Sequence, residues 1–146
     1  MKPRNCWSVL TQKAQDEEET AQAALAQARA RVLELQQSRE RMNDLLEDYK
    51  QKTLAAQAQV QTMSQATNSR QFLLQLLSLV SRVDQDLQMA LRELEQAKAV
   101  SLQASHQRMK METMQEKDLQ AVQAWQRKQE QKQMDALGVT LYNLKA

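Results

Sequence analysis

The stretch SQATNS, residues 64–69, decides the fold, because one seven-residue repeat runs up to it and a second repeat leaves it. Ser, Thr and Asn offer the backbone local hydrogen bonds, so they favour turns and helix caps over helix interiors. Asn68 followed by Gln71 reads as a helix N-cap with its capping-box partner, and Thr67 and Ser69 are alternative caps. A turn without Gly or Pro is expected to be short and partly helical.

On the N-terminal side of this stretch, every seventh residue from Trp7 is apolar or aromatic: Trp7, Ala14, Ala21, Ala28, Leu35, Met42, Tyr49, Ala56 and Met63. Leu10, Leu25, Val32, Leu45 with Leu46, and Val60 follow three or four positions further on. Glu17 with Glu18, Ser38 with Arg39, and Lys52 with Thr53 interrupt them. A repeat held this long predicts one helix over residues 5–63 with a coiled-coil seam. Such a helix spans roughly 85–90 Å at 1.5 Å per residue. Pro3 suits its start, where the missing N–H costs nothing.

On the C-terminal side, RQFLLQLLSLV, residues 70–80, opens a second seam through Leu73, Leu76 with Leu77, Val80, Val83, Leu87, Ala90 with Leu91, Leu94 and Ala97. Between Lys98 and Asp118 the apolar residues show no clean phase, and order returns at Leu119, Val122 and Trp125. Gly138 fits the position just past a helix end. The expected second helix covers residues 70–137, with residues 138–146 as a loose tail.

Composition agrees with long helices. The 146 residues include 25 Gln, 20 Leu and 19 Ala, but one Gly, one Pro and no Ile, so the many turns of a sheet protein cannot be built. Aromatics at 3% exclude a large globular core and leave a thin, extended one. The fold class is therefore all-α, a long antiparallel two-helix coiled-coil hairpin forming one module over residues 1–146. Folding about residues 66 and 67 sets Met63 against Arg70, Ala56 against Leu77, Met42 against Leu91 and Trp7 beside Trp125. The Ala-rich segment of helix 1 then faces the weak segment of helix 2, which predicts a less stable waist near residues 14–30 and 103–119.

The same inventory narrows function. Twenty basic and 18 acidic residues give a net charge of +2, which makes no general case for nucleic acid. The longest apolar run, residues 72–80, is far short of the roughly 20 residues a membrane span needs. The N-terminus lacks the apolar stretch of a secretory signal, and the single Cys6 suits a reducing compartment. His106 is the sole histidine and reads as a surface residue. With no CxxC, HExxH or Gly-rich loop, no catalytic, cofactor or metal site is expected.

Two surfaces stand out. A two-stranded coil uses one stripe per helix, and Leu73, Leu77 and Val80 supply it. Phe72, Leu76, Leu79 and Val83 then form a second stripe that fits a protein partner, or a third helix from another copy or from the tail. At the open end, the hairpin brings Lys2 and Arg4 near Arg127, Lys128 and Lys132, a basic tip suited to an acidic site. The methionines at 109, 111 and 114 are either an adaptable surface or filler in a poor seam.

The chain resembles the FliJ family, the small coiled-coil component of the bacterial flagellar type III export apparatus. The resemblance rests on Gln71-Phe72 with Leu76, on MNDLLEDYKQK at residues 42–52, on LQAVQAW at residues 119–125, and on EQKQMDALG at residues 130–138. Ala136 stands where the family commonly has an acidic residue. The resemblance implies a non-enzymatic stalk that binds the hexameric export ATPase, contacts the export gate and binds export chaperones. It implies a cytoplasmic location at the inner membrane of the flagellar base. It assigns Phe72 and Leu76, and with them Leu79, to gate contact. It assigns the open end, Lys2, Arg4, Arg127, Lys128, Gln131, Lys132, Met134 and Asp135, to the ATPase ring. The matching stalk of a virulence secretion system and a self-associating coiled-coil scaffold are the alternatives.

Overall fold

Two helices, α1 (Asn5–Gln57) and α2 (Met63–Lys145), pack against each other as an antiparallel hairpin in the computed structural model, which describes residues 2–59 and 62–145. No strand occurs among the described residues. The chain divides into two compact units. One pairs Met1–Ala21 with Ser101–Ala146, and the other is Gln22–Val100.

The turn lies earlier than the sequence places it. α1 ends at Gln57 rather than near residue 63, and SQATNS lies inside α2. The reason is a second capping box six residues upstream of Asn68–Gln71. The Thr62 hydroxyl accepts from the Gln65 backbone N–H at 3.2 Å, and the Thr62 N–H donates to Gln65 Oε1 at 3.3 Å. This reciprocal pair satisfies two donors that a helix start would otherwise leave open. Thr67 remains compatible with helix because its hydroxyl donates back to the Met63 carbonyl at 2.9 Å. Met63, expected to close the heptad of helix 1, is instead the first residue of α2 and 87% exposed. Val60, also expected in the seam, lies outside the described residues.

Moving the turn moves the register. Tyr49, which the expected register sets against Asp84, meets Phe72 with ring centroids 4.6 Å apart, and its hydroxyl donates to the Ser69 carbonyl at 3.3 Å. Asp84 instead meets Arg39, with 2.9 Å between Nε and Oδ1. The slip is about three helical turns.

The core of the 22–100 unit is apolar. Val32 and Leu35 are buried against Leu87 and Ala90, with Leu91 and Leu94 packed on the cluster. Each fully buried Leu or Val contributes roughly 1.5–3 kcal/mol. On α1 the stripe read from the sequence, Ala14 through Ala56, is buried or half-buried throughout, as is Trp7. On α2 the shielded residues follow alternating steps of three and four: Ala66, Ser69, Leu73, Leu76, Val80, Val83, Leu87, Ala90, Leu94 and Ala97.

In the other unit the same spacing continues where no clean phase is expected. Ser101, Ala104, Arg108, Met111, Gln115, Asp118 and Val122 of α2 keep that spacing and are shielded, as are their neighbours Ser105, Glu112 and Met114. Opposite them lie Thr11, Ala14, Glu18 and Ala21 of α1. This seam is small and polar rather than absent. Gly138 does not end α2, which runs to Lys145 with no positive-φ glycine. The cost of a helical Gly, about 1 kcal/mol, is outweighed by the good helix formers on both sides.

The two capping boxes make different predictions. Thr62→Ala should cost about 1 kcal/mol, read as a lower midpoint in urea unfolding followed by circular dichroism. Asn68→Ala, within α2, should leave the midpoint unchanged or raise it slightly. Equal losses would place the helix start elsewhere.

Candidate partner-binding surfaces

Phe72, Leu76 and Leu79 do not form one exposed stripe. Leu76 is 4% exposed and belongs to the seam, whereas Leu77, assigned to the seam from the sequence, is 42% exposed. Leu73 and Val80 are half-buried, as expected. The alternating three-and-four phase explains the exchange: from Leu73 the next step of three reaches Leu76, and the step of four after it reaches Val80.

Phe72 and Leu79, each 44% exposed, occupy the position just before a seam residue, one heptad apart. Leu45 holds the equivalent position on α1 and is also exposed, while its neighbour Leu46 turns into the seam. Opposing flanks of this kind face each other in an antiparallel pair, so Phe72, Leu79 and Leu45 line one apolar flank. Tyr49 supports it by packing a tilted ring on Phe72, at 57° between planes. The Tyr49 hydroxyl, anchored on Ser69, fixes that ring from below. The flank does not sit at the turn, since Phe72 follows the start of α2 by nine residues, roughly 14 Å along the helix. Leu45 was not among the sequence candidates. Its exposure follows only once α1 and α2 have the correct register.

The basic tip is also rearranged. The Arg4 backbone N–H donates to Asp118 Oδ2 at 2.8 Å, and its guanidinium lies 3.8 Å from Oδ1. α1 has no acidic residue in its first turn, so Asp118 of α2 supplies the carboxylate that its N-terminus favours. Arg4 is therefore level with Asp118. Trp125 lies about two turns beyond Asp118 along α2. Arg127, Lys128, Gln131, Lys132, Met134 and Asp135 are all exposed, further along α2. Gln131 donates to Asp135 at 3.2 Å. The Arg4 charge is countered by Asp118.

Past Val122 the residues of α2 other than Gln129 are exposed. Met134, Leu137, Leu141 and Leu144 repeat at steps of three, four and three and are all more than half exposed. They take a different phase from the seam, which would continue through Trp125, Gln129, Lys132, Ala136 and Val139. The sequence reading of a loose tail concealed this stripe, although its spacing was visible.

Cys6 and His106 are exposed, and no group of His, Cys, Asp and Glu among the described residues is placed to hold a metal ion. No helix is long and apolar enough to cross a membrane. Hydrogen bonds from Arg108 to Glu18 and then to Glu112 raise the guanidinium above its ordinary pKa, so it carries its charge at any working pH.

Burial separates the roles of neighbouring leucines. Leu76→Ala should cost about 2–4 kcal/mol, whereas Leu79→Ala should cost well under half as much, both read from urea midpoints. A binding defect of a Leu76 variant therefore requires a stability control.

Compared with known protein families, residues 8–146 match the model described as flagellar FliJ protein. No curated protein and no solved structure matches the chain.

Proposed function

We propose that this chain, which belongs to the FliJ family of flagellar proteins, is a stalk that links the export ATPase ring to the export gate. Family membership makes it a component of the flagellar export apparatus. The observation that carries the finer reading is the exposed apolar flank of Phe72, Leu79 and Leu45 on an otherwise polar hairpin. Such a flank, rigidly presented, is suited to a groove or apolar pocket on a partner. The gate's cytoplasmic domain is the partner we assign to it. Leu76 serves this contact from within the seam, by holding α2 against α1.

The ATPase ring is assigned to the far part of α2, where Arg127, Lys128, Gln131, Lys132, Met134 and Asp135 are free of α1. A single helix is slim enough to enter a ring, and its bases favour an acidic lining. Lys2 contributes charge nearby, and Arg4 contributes by holding α1 to Asp118. The mechanism is mechanical. The ring grips one part of a stiff hairpin, the gate another, and a change in the grip alters the pose of the apolar flank. Export chaperones are further partners in this reading, and the site of action is the cytoplasmic side of the inner membrane at the flagellar base.

Two measurements test the assignments. Phe72→Ala combined with Leu79→Ala should weaken binding to the gate's cytoplasmic domain about tenfold or more and reduce motility, with helicity retained. Unchanged gate affinity removes the flank from the mechanism. Arg127→Glu with Lys128→Glu should reduce stimulation of the ATPase at low salt, and the deficit should narrow as salt rises. Stimulation equal to the unaltered chain at low salt would exclude electrostatic seating in the ring.

A further inference from the structure

We infer that residues 5–21 of α1 are a releasable helical segment, held on residues 101–122 of α2 by a polar latch rather than by an apolar core. Among the larger apolar residues of these segments Val122 is buried, while Trp7, Met111 and Met114 are only half-buried. The buried residues of the seam are Thr11, Ala14, Ala21, Ser101 and Val122, and the Thr11 hydroxyl has no hydrogen-bond partner. Burial of Ala and Ser removes little apolar surface, and a buried hydroxyl without a partner opposes pairing. Yet the segments are paired, so other interactions must hold them.

Those interactions are visible at two levels. At the end of the segment, Asp118 of α2 receives the Arg4 backbone N–H and faces its guanidinium, and the Asp118 side chain is only 11% exposed. Further in, Arg108 of α2 bonds Glu18 across the seam and bonds Glu112 on its own helix at 2.9 Å. Gln15 of α1 donates to the other oxygen of Glu112 at 3.4 Å, so the network crosses the seam twice. Arg108 and Glu18 side chains are 26% and 14% exposed, shielded enough for the pairing to matter and open enough for water to enter when it breaks. The polarity is reciprocal, acid on α2 with base on α1 at one level and the reverse at the other. This arrangement favours the observed alignment over a slipped one.

Release of the segment also removes the carboxylate at the N-terminus of α1, so separation and fraying of α1 reinforce each other. It uncovers the face of α2 that bears Ala104, Met111 and Val122, next to the already exposed Leu119 and Trp125. The 22–100 unit depends on charge far less, because Val32, Leu35, Leu87 and Ala90 hold it by apolar contact and its Arg39–Asp84 pair is nearly half exposed. Salt screens the first kind of interaction and not the second.

The test is hydrogen exchange by mass spectrometry on the full chain at about 50 mM and about 1 M NaCl. Exchange within residues 5–21 and 101–122 should accelerate roughly threefold to tenfold at high salt, while residues 30–50 and 76–95, which hold only the half-exposed Arg39–Asp84 pair, should respond far less. Arg108→Met and Asp118→Asn should each give the fast exchange already at low salt. Glu18→Leu with Arg108→Leu together should slow exchange below that of the unaltered chain, because paired apolar groups replace a paired charge without leaving either unpartnered. Equal salt responses in both units, no salt response, or a double variant as fast as Arg108→Met would each overturn the latch. Should a variant lose protection in residues 30–50 as well, it has unfolded, and the salt response of the unaltered chain decides.

Discussion

Val32 and Leu35 packed on Leu87 and Ala90 are the contact on which the hairpin depends. A chain with 3% aromatics and a single Gly cannot wrap a core, so each helix has to find its apolar surface on the other. The stripe on each is one or two residues wide. Its stabilisation is therefore local, accumulating layer by layer along the seam. Layers built from Leu and Val contribute much, and layers built from Ala, Ser and Thr contribute little. Along α2 the spacing of three and four persists from Ala66 to Val122 while the chemistry of the positions changes completely. Geometry is uniform, and affinity is not.

The turn converts this one-dimensional pattern into a surface. Once Thr62 and Gln65 cap α2, the pairing of every layer is fixed, and the flanking residues are fixed with it. Tyr49 then meets Phe72, and Leu45 falls on the same flank as Phe72 and Leu79. A helix started at Asn68 would present a different set of residues to each partner. The apolar flank is thus a consequence of a cap about 14 Å away, with no contact between the two.

The sequence makes the helices legible where apolar and polar residues alternate, and illegible where they do not. The α1 heptad from Ala14 to Ala56 has contrast, and its buried side is readable. Residues 72–80 are apolar nearly all round, so Leu76 and Leu77 cannot be ranked from periodicity. Residues 101–118 fail for the opposite reason, since Ser101, Arg108, Gln115 and Asp118 hold seam positions that pattern reading assigns to solvent. The turn fails because Thr62–Gln65 and Asn68–Gln71 both read as capping boxes six residues apart, and the upstream one is formed. The family resemblance, carried by short motifs at residues 42–52, 71–76 and 119–138, does not depend on register, and it survives all three ambiguities. The partner surfaces do depend on it, so Leu45 and the Met134–Leu144 stripe emerge only from the structure.

Continued past Val122 at the same spacing, the seam of α2 passes through Trp125, then the polar Gln129 and Lys132, before Ala136 and Val139. The large apolar residues have moved to another flank, at Met134, Leu137, Leu141 and Leu144. Intramolecular pairing thus weakens in steps along α2, from Leu–Val layers, through layers held by Arg108 and Asp118, to positions unsuited to α1 at all. A uniformly apolar seam would hold both helices together along its whole length, whereas this gradient makes the pairing firm at Val32, Leu35, Leu87 and Ala90 and weaker further along α2.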